Sequence, residues 1–394
     1  MHSHSSWTAR GITIPPVQIH DIGTATEDPA RTLNHYLKAN HARYSLLYHG
    51  KLFHNHVPHI LSSAYLLGAG AGDLKRLYEA ESRGLEPWAD SPSDVTTENW
   101  RDCLGKKEYE RGFVKFFQGE VAREGGDWKK VAAYYLFSGK QPLINSVVAG
   151  AGHALIHLGY AYHMSSTEIG TEAIALTATD YNGIHKYLED EAYSQVQPPY
   201  KSPSPLEILE KVRTDERFNR LSRPGYSNLD TIFREYETPL LEHWNAWTID
   251  SPVEQFRESQ KAAAAMAVAA NKHDFFLIHI LTTSHAIRVL LPLIPAQFHT
   301  PVLRQWWLIT VALYIAQLRP KITPWEILEY NIKGRDWDWP ISSALKGQHS
   351  IDAHYVKAIH ALKEACDLWG DSDSFFLKAA VKFADEFHGW SGFS

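Results

Sequence analysis

The sequence predicts an all-α protein, a single globular unit of two helical halves around a buried metal site. Three observations carry the class. Apolar residues recur at three- and four-residue spacing along most of the chain, strand-like alternation is nearly absent, and several segments open on a short polar residue followed by proline. Asp28-Pro29, Ser251-Pro252 and Thr300-Pro301 are such openings. The polar side chain caps free N–H groups, and proline pre-sets the first turn.

In chain order, apolar faces at helical spacing predict helices over 29–48, 58–67, 109–123, 128–136, 142–163 and 205–212. The same spacing predicts further helices over 229–247, 252–270, 275–293, 301–318, 353–369 and 374–388. Loops are expected at 84–99, 195–204 and 331–350. Residues 1–28 read as a flexible N-terminal segment and 29–394 as the helical domain, with a possible subdomain seam at the Pro- and Ser-rich stretch 195–204.

With 394 residues, a charged fraction of 21%, a net charge of -6 and a pI near 6.4, the chain has no basic surplus of the kind nucleic acid selects. Cys103 and Cys366 are the only cysteines, so neither a disulfide framework nor a CxxC site is implied. The N-terminus lacks a secretory signature. The longest apolar run, Trp306 to Leu318, falls short of the roughly 20 residues a bilayer span needs. It reads as a buried core helix, and a cytoplasmic protein with no membrane partner is expected.

Four stretches place histidines among apolar residues: FHNHVPHIL (Phe53 to Leu61), GHALIHLGYA (Gly152 to Ala161), DFFLIHILTTSH (Asp274 to His285) and DAHYVKAIH (Asp352 to His360). A lone buried imidazole is more often a hydrogen-bonded core residue than a ligand. Repetition changes the balance. His153 and His157 share one helix face, His56 and His59 nearly do, and one shared metal satisfies several buried imidazoles at once. Two glycine-rich stretches imitate nucleotide loops, 68–74 and 147–159, but neither follows a strand, and Leu155 occupies the third glycine position. No G-x-S-x-G elbow, HExxH or GK[ST] loop occurs.

FHNHVPHILSSAYLLGAG, GAGHALIHLGYAY, FFLIHILTTSHAIR, DAHYVKAIHAL and FFLKAAVKFADEF, spread over residues 53 to 387, resemble the successive signatures of the questin oxidase-like family. Its members are fungal enzymes that oxidatively open anthraquinone-type rings in aromatic polyketide pathways. Some are described as Baeyer–Villiger oxidases. At least one is similar to a non-haem iron dioxygenase whose histidine-rich site is completed by a carboxylated lysine.

Carried over position by position, the resemblance implies one metal ligand per histidine motif: His59, His157, His279 and His354. His56 and His153 are the alternatives, otherwise orienting ligands or managing a phenolic proton as catalytic groups. His285 and His360 read as ordinary helix histidines. Ala154 departs from the family's HPLIHLG form and leaves the choice between His153 and His157 open.

Four neutral imidazoles leave a divalent ion uncompensated in an apolar pocket, so an anionic ligand is expected. The resemblance points to Lys378 as a carbamate. Read from the residues alone, Lys378, Lys382 and Glu386 form a solvated stripe at i, i+4 and i+8.

The implied cofactor is Fe(II) with dioxygen as co-substrate, and the implied partner is a small aromatic polyketide. Trp337, Trp339, Tyr160 and Tyr162 are candidates for its pocket. The alternatives are a Baeyer–Villiger oxidation that draws on NADPH, directly or through an electron-donating reductase, a zinc hydrolase, and a helical scaffold whose histidines are structural.

Overall fold

The computed structural model describes residues 11–270 and 272–392. The protein is 61% helical, with nineteen α-helices and one two-stranded hairpin, Leu47–Tyr48 paired antiparallel with Phe53–His54, among the described residues. One continuous apolar core runs through both halves of the chain and across the 195–204 stretch. No described helix is long and apolar enough to cross a membrane. The apolar helix His299–Ala316 is instead buried at the centre, where Trp306 donates its indole N–H to the Ile280 carbonyl at 3.1 Å.

Four helices form a closed ring. Val57–Leu66 packs on His153–Met164, that helix on Ile278–Leu290, the third on Ala353–Trp369, and the last on the first. Their starts are fixed by local hydrogen bonding. Asn55 ends the hairpin and accepts the Val57 N–H, Asp274 accepts from Phe276 and Leu277, and Asp352 accepts from His354 and Tyr355. Each device supplies an acceptor for N–H groups that a helix start leaves free.

The fourth start differs most from expectation. The segment expected as one helix over 142–163 breaks at Gly150, Ala151 and Gly152, all with positive φ, and the helix begins at His153. Glycine is required at both ends of the break. A Cβ on Gly150 would lie 2.5 Å from an Asp180 oxygen, and one on Gly152 would lie 2.3 Å from the Thr283 methyl. The glycine-rich stretch therefore serves close packing.

Other departures have local causes. The expected 229–247 helix divides at Tyr236 into Asn228–Glu235 and Glu237–Asn245, because Pro239 removes a backbone donor and crowds the preceding turn. Ala71–Glu81 forms an additional helix, and Asp338–Lys346 forms one within the expected 331–350 loop. Residues 11–27 run without regular secondary structure but are tied down. Ile12, Ile14, Val17 and Ile22 are buried, and the Pro15 carbonyl accepts from Arg288. The rest of the N-terminal segment, 1–10, lies outside the described residues.

Candidate metal centre

The ring of helices brings four N-terminal ends together, and each end carries a histidine. His56 caps the first helix, His153 opens the second, and His279 and His354 are the second residues of the third and fourth. All four are buried, and one nitrogen from each lies within 4.8 Å of the others. His56 Nε2 and His153 Nε2 are 3.1 Å apart, and His354 Nε2 and His279 Nε2 are 3.2 Å apart.

The far nitrogens of two rings are pinned. His153 Nδ1–H donates to the Gly150 carbonyl at 2.6 Å, and His279 Nδ1–H to the Phe275 carbonyl at 2.8 Å. This fixes the tautomer and leaves Nε2 with its lone pair. The kink before His153 supplies the first of these carbonyls. Burial pushes His56, His153 and His354 well below the usual imidazole range, with nearby positive charge adding to it, and takes His279 down to about 3. All four are therefore neutral near pH 7. Neutral imidazoles gathered this closely fit a divalent cation such as iron(II).

Lys357 is a charge that presses on all four. It sits one turn beyond His354, is fully buried, and its Nζ has no hydrogen-bond partner. Its positive charge disfavours protonation of every imidazole in the tetrad. Burial lowers the Lys357 ammonium to about 7. Each helix N-terminus also contributes roughly half a positive charge. Asp352 and Glu81 stand nearby and partly offset this charge.

Of the ligands implied by the resemblance, His279 and His354 lie in the tetrad. His59 and His157 do not. They stand one row deeper on their helices and bond to each other, His59 Nε2 to His157 Nδ1 at 2.7 Å. Their places are taken by His56 and His153, because the break before residue 153 moves the helix end and its first side chain to the centre. Lys378 is partly exposed, and its Nζ donates to the Leu328 carbonyl at 2.6 Å. Lys357 was missed in the sequence. Its signal was a solitary lysine in an apolar helical run (YVKAIHAL) three residues after a motif histidine.

A cavity of about 110 Å³ reaches the tetrad, lined by Phe53, His54, Tyr226, Phe275 and Phe276 with three of the histidines. It shares Gly150 and Tyr226 with a neighbouring cavity of about 390 Å³ walled by Tyr187, Leu229, Phe233 and Ile309. His54 stacks on His153 with ring centroids 3.9 Å apart, and its Nε2–H donates to Asp180 at 2.7 Å. The expected aromatic residues lie elsewhere. Trp339 stacks with Arg335, Trp337 lies by Lys363, Tyr162 packs on Trp128, and Tyr160 bonds Ser63.

The fold and site define an all-helical protein with a buried four-histidine centre at the end of an aromatic cavity. The model of the questin oxidase-like family matches residues 53–362, and the chain belongs to that family. It is 26% identical to the Baeyer-Villiger monooxygenase AacuH of Aspergillus aculeatus, across 90% of this chain and 81% of that protein. It is 24% identical to the Baeyer-Villiger oxidase ptaJ of Pestalotiopsis fici, across 83% and 78%. It is 25% identical to the questin oxidase of Aspergillus fumigatus, across 84% and 80%. These relatives and the family make the chain an oxidoreductase.

Proposed function

We propose that the chain is a non-haem iron-dependent oxygenase that uses dioxygen to cleave a ring carbon–carbon bond of an anthraquinone-type aromatic polyketide in fungal secondary metabolism. The observation that carries this reading is the meeting of four buried, neutral imidazoles from four helix ends beside an aromatic cavity. His56, His153, His279 and His354 would hold the ion through Nε2. Iron, when bound, supplies the one-electron chemistry that lets ground-state dioxygen react with a closed-shell ring.

Lys357, in place of Lys378, would provide the anionic ligand as a carbamate. A buried amine that sheds its proton near pH 7 can add carbon dioxide and become a carboxylate-like group. The orphaned Nζ supports this, since a buried polar atom without a partner is costly. Lys378, tied to a carbonyl in contact with solvent, lacks that incentive.

The remaining residues bind and orient. Phe275, Phe276 and Tyr226 offer flat apolar faces to a polycyclic substrate. Asp180 accepts the Nε2 proton of His54, which leaves His54 Nδ1 an acceptor for a phenol O–H. The names of several relatives favour a second reading, a Baeyer–Villiger oxidation drawing on NADPH.

Metal analysis with oxygen uptake tests the proposal. Freshly purified protein should contain iron and consume dioxygen with a reduced anthraquinone, and isotope-labelled dioxygen should deliver both atoms to the product. Delivery of one atom with stoichiometric NADPH consumption selects the second reading. Zinc with oxygen-independent turnover overturns both.

A further inference from the structure

Behind the tetrad, a line of hydrogen bonds runs from a fully buried imidazole to the protein surface. His59 Nε2 meets His157 Nδ1 at 2.7 Å, His157 Nε2 meets Glu172 Oε2 at 3.3 Å, and Glu172 Oε1 meets His41 Nδ1 at 2.7 Å. His41 Nε2 then lies 2.7 Å from Nε2 of exposed Gln118, an amide that turns its oxygen to the ring when His41 is protonated. The inner end abuts the site, with the His59 ring edge-on to His56 at a centroid distance of 5.3 Å.

Elementary hydrogen-bond chemistry orders this line. A carboxylate only accepts, so His157 Nε2–H donates to Glu172. His157 Nδ1 must then accept from His59 Nε2–H. That leaves a bare lone pair on His59 Nδ1, which is buried with no partner. Nothing in the fold satisfies this atom, and an unpaired buried acceptor carries a cost of about 1–3 kcal/mol. It is the unpaired inner end of an otherwise complete chain, and burial holds the ring neutral.

The outer end is a charge reservoir. Burial alone would raise the Glu172 carboxyl, but hydrogen bonds from His157 and His41 outweigh it and hold the group below its usual range. Burial likewise works against His41, yet bonding to Glu172 raises its imidazole. The pair therefore favours carboxylate and imidazolium, and the His41 side chain is 12% exposed.

We propose that His59, His157, Glu172 and His41 form a proton path that joins the wall of the histidine site to solvent. The path rests on the reading of the tetrad as an oxygenase centre, where phenol or water O–H groups must ionise. A proton released in the site enters at His59 Nδ1, and His59 gives its Nε2 proton to His157 Nδ1. His157 gives its Nε2 proton to Glu172, and His41 gives one to water. One proton thus leaves the site and one appears in solvent. His41, left with its proton on Nδ1, turns its bare Nε2 to the carboxyl and takes up the Glu172 proton, and the His59 and His157 rings, each now protonated on Nδ1, turn over before the next passage.

Two measurements test the path. In metal-free protein labelled with nitrogen-15 at histidine, His59 should appear as the single Nε2–H tautomer, and Glu172→Gln should mix the tautomers of His59 and His157. In the iron-loaded enzyme, His41→Gln keeps a donor to Glu172 but cannot carry a proton. It should lower kcat at least about tenfold with KM and iron content unchanged, and free imidazole should restore turnover to His41→Ala. An Nδ1–H tautomer at His59 overturns the path. So does wild-type turnover in His41→Gln, or a loss of activity that tracks loss of iron. If wild-type protein takes up no oxygen, the reading of the centre fails, while the tautomer measurement still decides the path.

Discussion

Two of the three rows of histidine on these helices are organised in opposite ways. In the tetrad, at the helix starts, one nitrogen of each ring converges with the others, and two rings are pinned from behind by loop carbonyls. The second layer, His163, His285 and His360, lies further along three of those helices. His285 and His360 have ring centroids 4.7 Å apart, and His163 is 6.3 Å from each. Here His163 Nδ1, His285 Nδ1 and both nitrogens of His360 are buried without hydrogen-bond partners, though His360 Nε2 lies 4.0 Å from Glu364 Oε1. Tyr160 stands between the layers, 5.6 Å from His59 and 6.2 Å from both His285 and His360 by ring centroid.

Burial and helical spacing are alike in the two groups, whereas position on the helix differs. At a helix start the preceding loop has free carbonyls that can fix an imidazole tautomer, and several starts can aim at one point. In mid-helix the carbonyls are already used. Rings from neighbouring helices then meet side by side.

The strongest way to break this contrast is to delete one ring from each layer. His153→Ala or His354→Ala should lose bound iron and reduce turnover to background, whereas His285→Ala should retain the metal. Elemental analysis of each purified variant checks this. Iron loss in His285→Ala alone would reverse the assignment of the layers.

Next in size is Lys357→Met, which keeps the volume and removes the amine. It should weaken iron retention by roughly 10–100-fold, and a small carboxylate such as acetate should restore part of it. The wild-type site should also load less iron as pH falls below about 7. The sign follows from the chemistry: only the neutral amine adds carbon dioxide, and lowering the pH through that value converts it to ammonium. Equal loading at pH 6 and pH 8 in bicarbonate would argue against a carbamate.

A smaller effect is expected at His360→Leu. It removes one nitrogen without a partner and one 4.0 Å from the Glu364 carboxylate, so its unfolding free energy should stay within about 1 kcal/mol of wild type, with iron retained. A loss of more than about 3 kcal/mol would mean that His360 has partners in solution, such as ordered water. The smallest change belongs to Lys378→Ala, expected within about 0.5 kcal/mol of wild type and with full activity.

The helical class and most helix positions were legible because amphipathic periodicity and Asp-Pro or Ser-Pro starts act within one turn of chain. The histidine motifs were legible as a group for the same reason, and two of the histidines singled out in them, His279 and His354, lie in the tetrad. His153 was not separable from His157, since both suit a helix running through residue 150. Only the contacts of Gly150 with Asp180 and Gly152 with Thr283 show why the helix starts at 153. Those partners are distant in sequence.

By itself, then, the sequence determined the all-α class, the family and the four stretches from which a histidine centre is drawn. Each of these depends on residue type and local spacing. The tertiary structure alone decided which histidine of each stretch faces the common point, which lysine is buried beside it, and that His59, His157, Glu172 and His41 join in one line. These follow from where four helix ends meet, and a contact between residues distant in sequence leaves no local periodic trace in the chain.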